Sequence, residues 1–242
     1  MATPTPATQP HLVLLPGLMC DAAVWQAQID PLAEAAHCSV VDFGSLSSLR
    51  AMAQHVLATA PAPRFALAGH SMGGRVAFEV MRIAPQRVTR LALLDTASHP
   101  LPDGEAGAAE KAGRLALLAQ ARSEGMRVMG RQWATPMVHP DHVDTPLFDA
   151  LLDMIARCTP DLYAAQVDAL LTRPDAGPLL KTIHCPTLLL CGREDQWSPP
   201  SRHEFMRDAM AGSGLVVLEH CGHMCTMEQP DAVSRALASW LS

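Results

Sequence analysis

The stretch Leu67–Met81, LAGHSMGGRVAFEVM, sets one serine between glycines just where an apolar run ends and a helical pattern begins. Phe65-Ala66-Leu67-Ala68 is short and apolar, as a buried strand is. Val76, Phe78, Val80, Met81 and Ile83 then recur with a roughly helical period, and Pro85 stops the run. Between the two lies G-x-S-x-G, from Gly69 to Gly73, with His70 and Met72 in the variable positions. A strand that feeds a helix through so tight a turn needs residues without Cβ where backbones nearly touch. Ser71 is therefore expected at the tip, strained, with its hydroxyl exposed. The motif is short, and a plain turn in which Ser71 only caps the helix also fits it. The rest of the chain has to supply a base, an acid and an oxyanion hole.

A chain of 242 residues can bury one sizeable core. Its 49% hydrophobic and 17% charged residues suit a globular fold rather than a disordered one. Net charge is −6 and no stretch gathers Lys and Arg into a stripe, which argues against a nucleic-acid partner. The opening MATPTPATQP lacks a basic and an apolar region, so residues 1–10 read as a flexible tail rather than a secretory signal. No apolar run approaches the ~18 residues of a membrane span. Seven scattered cysteines fit reduced thiols in a cytoplasm. His220, Cys221, His223 and Cys225 crowd into HCGHMC, yet they match no zinc-site spacing and no second pair accompanies them, so no metal is expected.

Strand and helix patterns alternate along the chain. Strands are expected at His11–Leu15, Ser39–Val41, Phe65–Ala68, Val88–Leu94, Thr187–Cys191 and Leu215–Leu218. Helices are expected over Ala22–Ala36, Ser47–Ala60, the run after Ser71, Ser201–Ala211 and Asp231–Leu241. Such alternation implies an α/β fold: a mostly parallel, doubly wound sheet whose sites lie outside the strands' carboxyl ends. Residues 98–183 show helical patterns and no convincing strand, so they read as an insertion of helices between residues 11–97 and 184–242.

Chemistry is then sought at the strand ends. LLLCGREDQWSPP leaves Glu194 and Asp195 in a loop, and VVLEHCGHMC leaves His220 and His223 in the next. A serine hydroxyl needs an adjacent imidazole to take its proton, and the imidazole needs a carboxylate to fix its tautomer. Ser71, Asp195 and His223 fall on one rim in the order Ser, Asp, His. His220 competes as base. Asp95, at the end of the strand after the serine's helix, competes as acid, though it is also explained as a strand-end residue bonding nearby backbone.

Four motifs together carry a resemblance: LLPGLM at Leu14–Met19, GHSMGG at Gly69–Gly74, GRED at Gly192–Asp195 and CGHM at Cys221–Met224. In this order the chain resembles the α/β-hydrolase fold family over nearly its whole length, and looks most like small bacterial esterases. The resemblance implies Ser71 as nucleophile, Asp195 as orienting acid, His223 as base, and the inserted helices as a cap. The chain begins close to what would be the family's third strand, so about six strands are expected, without the first hairpin. The histidine that often precedes the family's oxyanion glycine is Pro16 here, which raises the question of how that loop is braced.

Negative charge on an ester oxygen under attack calls for two fixed N–H donors. Met72, next to the nucleophile and at the positive end of its helix, is one; Leu18, after Pro16-Gly17, is the other. His70 is expected to be a packed, hydrogen-bonded histidine, Glu194 to be solvated, Arg75 to face solvent, a carboxylate or an acidic substrate, and His139 and His142 to lie at the surface. Met19, Met72, Met224 and Met227 flank the loops, and Met126, Met129, Trp133 and Met137 lie in the insertion; as pocket walls they imply an apolar site, and as helix core they imply nothing. The expected activity is hydrolysis of a small or medium apolar carboxylic ester, thioester or lactone through an acyl-enzyme on Ser71, with no cofactor. The alternatives are acyl transfer or perhydrolysis with the same triad, and a receptor that keeps the pocket without turnover. The partner is a small molecule; oligomeric state is not written in the sequence.

Overall fold

The computed structural model describes residues 9–242, so residues 1–8 of the expected tail lie outside it. Six strands form one sheet: β1 (His11–Leu15), β2 (His37–Val40), β3 (Phe65–His70), β4 (Val88–Leu94), β5 (Thr187–Gly192) and β6 (Gly214–Leu218). Their order is β2-β1-β3-β4-β5-β6, and every pair is parallel. Every residue of β3 and of β5 is buried, as the central strands of a sheet covered on both faces must be.

The helices before the insertion are α1 (Gln26–Leu32), α2 (Leu49–Thr59) and α3 (Met72–Ile83). The insertion between β4 and β5 contributes α4 (Gly104–Glu124), α5 (Met126–Ala134), α6 (Pro146–Ala156), α7 (Pro160–Leu171) and α8 (Gly177–Leu180). The chain closes with α9 (Pro200–Ala209), α10 (Cys225–Glu228) and α11 (Pro230–Leu241). Right-handed crossovers put α1 on one face of the sheet and α2, α3 and α9 on the other. The winding reverses between β1 and β3, so the loops after these neighbouring strands open a crevice at the carboxyl rim. No described helix is long and apolar enough to cross a membrane.

The first helix departs from the expected Ala22–Ala36. Asp21 caps a 3-10 turn over Ala22–Trp25 by accepting from the Ala23 N–H at 2.8 Å, and α1 follows only to Leu32. Pro31 has no N–H to give, and the Ala33 and Ala35 N–H groups bond three residues back, tightening the chain toward β2. The short helix α10, directly after His223, was absent from the sequence expectations because its four residues are too few to show a period.

Candidate active site

Ser71 sits between β3 and α3 with φ 54° and ψ −114°. A non-glycine residue held there costs about 1–3 kcal/mol, so the surroundings must impose it. They do so from β4: the Ser71 N–H donates to the Leu94 carbonyl at 2.9 Å, and Thr96 Oγ1 donates to the Ser71 carbonyl at 2.8 Å. The flanking glycines are sterically required. A Cβ on Gly69 would stand 2.4 Å from the Gly73 carbonyl oxygen, and one on Gly73 would stand 2.2 Å from that of Leu15. Ser71 occupies the N-cap position of α3, yet its side chain makes no capping bond. The hydroxyl is turned elsewhere.

It is turned to His223. Ser71 Oγ donates to His223 Nε2 at 2.8 Å, and His223 Nδ1 donates to Asp195 Oδ2 at 2.8 Å. Asp195 Oδ1 accepts from the Trp197 and Ser198 N–H groups at 2.8 and 2.9 Å. Burial alone would favour the neutral acid, but the His223 charge and hydrogen bond and the two backbone donors hold the Asp195 carboxyl below its usual range. Burial likewise lowers His223, and the Asp195 carboxylate more than reverses this, leaving the imidazole above its ordinary value. Ser71, Asp195 and His223 are thus brought together from three separate loops.

The competing residues are placed elsewhere. Asp95 Oδ1 accepts from the Gly192 N–H at 3.1 Å and Oδ2 from the Cys225 N–H at 3.2 Å, so it ties the two loops together from beneath. Complete burial, followed by the nearby Asp195 charge, raises its carboxyl well above the usual range. His220 is exposed, in the left-handed region at φ 53°. His70 is fully buried and donates from Nε2 to the His223 carbonyl at 2.8 Å; burial and the His223 charge press its pKa down to about 4, so it stays neutral.

The loop after β1 provides the second wall. Leu18 and Met72 both face Ser71 across one cavity, and among the described residues neither N–H has a partner. A Cβ on Gly17 would lie 3.0 Å from His70 Nδ1 and 3.3 Å from Ser71 Cβ, so the glycine eases the close approach of this loop. Its bracing comes from the insertion. The Met19 N–H donates to Gln166 Oε1 on α7 at 2.8 Å, and Cys158 Sγ donates to the Met19 carbonyl at 3.4 Å.

Several other expectations need correction. Glu194 is half-buried rather than solvated, because its carboxylate accepts from the Cys221 N–H at 2.9 Å. His139 and His142 are only partly at the surface. The His139 N–H and His142 Nδ1 both donate to the buried Glu228 carboxylate, at 2.7 and 2.9 Å. Glu228 also accepts from the Gly222 and Met224 N–H groups, so it binds the insertion to the His223 loop. Met126 and Met129 are helix core; of the expected pocket residues, only Met72, Trp133 and Met137 line the cavity. His139, Asp141 and His220 offer three ligand atoms within 4.8 Å of one another, a cluster that shares only His220 with the HCGHMC run. In that set Cys221 and Cys225 are buried, and burial pushes both thiols upward.

The cavity over Ser71 has a volume of about 660 Å³. Its lining includes the apolar side chains of Leu18, Met72, Trp133, Met137 and Trp197. It also carries Arg75, Arg114, Arg173 and Arg202 with Glu110. Arg75 faces this cavity, since it is half-buried and donates to the His99 carbonyl at 2.8 Å. The arginines of the insertion gave no signal in the sequence, because helical spacing alone does not say which side of α4 or α7 meets the rim. Gln166 had one: it is the polar residue on the otherwise apolar Tyr163–Val167–Leu170 face.

Known proteins resemble this chain. A hydrolase of 2-hydroxy-6-oxononadienedioate and 2-hydroxy-6-oxononatrienedioate from Escherichia coli is 25% identical over 266 residues, 96% of this chain and 86% of the relative. The solved structure of a thermophilic esterase from Thermogutta terrifontis, with malate bound, superposes with a TM-score of 0.83 at 28% identity, covering 97% of this chain and 90% of that one. An enol-lactonase structure from Burkholderia xenovorans shares the fold at a TM-score of 0.83 and 21% identity, over 97% and 92% of the two chains. Residues 12–236 match the alpha/beta hydrolase family, and with its six-stranded parallel sheet and serine turn the chain is a hydrolase of that family.

Proposed function

We propose that the protein is a serine hydrolase that cleaves a carboxylic ester, thioester or lactone through an acyl-enzyme on Ser71. One observation carries the reading: the unbroken chain from Asp195 through His223 to Ser71, with both contacts at 2.8 Å. His223 Nε2 takes the Ser71 proton as Oγ attacks the carbonyl carbon. Asp195 keeps Nδ1 protonated and stabilises the imidazolium that forms. The carbonyl oxygen, now negative, is held by the Leu18 and Met72 N–H groups, and losing one such donor costs about 3 kcal/mol. The imidazolium returns its proton to the leaving oxygen, and the acyl group remains on Ser71. Water then attacks with His223 again as base, releasing the acid and restoring the serine.

In this reading the apolar wall of Leu18, Met72, Trp133, Met137 and Trp197 receives a small or medium acyl chain. The helices between β4 and β5 act as a cap over it, and a compartment that keeps seven cysteines reduced, the cytoplasm, suits the chain. The test is a panel of p-nitrophenyl esters from acetate to decanoate. Sustained turnover with an optimum at short or middle chain length supports the proposal. Ligand-induced stabilisation without turnover would favour a receptor that retains the pocket, and product formed only with an added acyl acceptor or peroxide would favour transfer or perhydrolysis.

A further inference from the structure

The cavity lining holds an unbalanced charge. Four arginines meet there with one carboxylate, an excess of three positive charges. Arg173 and Glu110 form a fork-to-fork pair with both contacts at 2.8 Å, and Arg114 donates to the same carboxylate at 3.0 Å. Glu110 is thereby satisfied: despite burial, its arginine partners hold it down at about 2. Arg75 and Arg202 are left over. Among the described residues neither meets a side-chain acceptor; Arg75 gives one N–H to the His99 carbonyl and keeps the others free. Both are half-buried, and withdrawing the Arg75 guanidinium from water without an anion is costly.

We infer that the substrate carries a carboxylate on its acyl chain, held by Arg75 and Arg202 while the ester lies at Ser71. This rests on the hydrolase reading and narrows its substrate class from apolar esters to half-esters of dicarboxylic acids. Arg75 lies four residues after Ser71, about one helical turn along α3, and the two line the same cavity. The planar guanidinium fork matches a carboxylate, and a charge-assisted bond there is roughly twice as strong as a neutral one. Burial first, then repulsion from Arg173, press the Arg75 pKa down to about 9.

The test compares kcat/KM on monomethyl adipate with that on methyl adipamate, esters of matching length that differ by one charge. It is read alongside the Tm shift produced by adipate and by adipamide. The acidic ester should be preferred by about tenfold or more, with the preference shrinking as salt rises. Arg75→Met and Arg202→Met should each reduce the ratio, and Arg75→Lys should keep part of it. Adipate should raise Tm in the native protein and less in the Met variants, while adipamide should not. Equal turnover of both esters, unmoved by either substitution, overturns the inference and leaves the hydrolase reading intact. Turnover of neither, with no fluorophosphonate labelling, removes the hydrolase reading; the adipate shift then decides the anion site alone, and its absence overturns that too.

Discussion

Gln166 accepts a hydrogen bond from the Met19 N–H at 2.8 Å, joining α7 to the loop after β1 across 147 residues of sequence. Both residues are buried, and Met19 is held at φ 59°. The loop that presents the Leu18 N–H is therefore fixed by the inserted helices and not by the residue before Gly17, which is Pro16. Gln166→Leu would leave a buried donor unpaired. It should lower stability by about 1–3 kcal/mol. Because the donor next to it is displaced, kcat should fall more than KM rises; a rise in KM alone would mean the loop only shapes the pocket.

Asp195→Asn should keep the fold and cut kcat by ~10²–10⁴, since the base loses control of its tautomer. Asp95→Asn should cost far less. Asp95 makes no hydrogen bond to the His223 ring; the asparagine keeps one oxygen for the Gly192 or the Cys225 N–H and gives up the other bond, a cost that falls on stability. A severe loss in Asp95→Asn beside a mild one in Asp195→Asn would transfer the orienting role to Asp95.

The same pair predicts a stability profile. A carboxyl whose folded pKa is raised gives stability that is present below its unfolded value, near 3.9, and lost as pH rises through the folded value. Asp95→Asn removes that loss. Its Tm relative to the native protein should improve as pH rises above about 4. A flat difference would mean Asp95 ionises normally when folded.

His223 must be neutral to accept the serine proton, and its pKa lies above the ordinary histidine value because Asp195 outweighs burial. The acid limb of kcat/KM should therefore fall above pH ~6.5. In the residual activity of Asp195→Asn the limb should move to lower pH, since the carboxylate no longer favours the imidazolium. A limb that stays in place would detach Asp195 from the base.

The serine turn was legible because three constraints coincide at Gly69, Ser71 and Gly73: a buried strand, a helix start and no room for Cβ. Asp195 and His223 were legible because parallel strands deliver their carboxyl-end loops to one rim. Gln166, Glu228 and the cavity arginines were not. They act across long separations, from α4, α7 and α10, and a helical pattern marks a buried face without naming what it meets. Arg75 shows the same limit. Its place one turn after Ser71 was evident, but whether it met solvent or the cavity depended on how the insertion closes over the rim.

His220 and His223 lie three residues apart and differ in everything the structure gives them. His220 is exposed with its ring beside His139, whereas His223 is buried between Ser71 and Asp195. His223→Ala should lose activity by a factor of ~10³ or more, approaching loss of the serine itself. His220→Asn, which tolerates the left-handed backbone, should keep most of it. The reverse pattern would reassign the base.

The acyl-enzyme is tested most directly by its mass. The protein is mixed with p-nitrophenyl butyrate, quenched in acid within the first turnovers, digested and weighed. A butyryl group on the peptide carrying Ser71, matched by a burst of p-nitrophenol and absent from Ser71→Ala, is the predicted result. Turnover that persists in Ser71→Ala, or an acyl group found on any other residue, would contradict it.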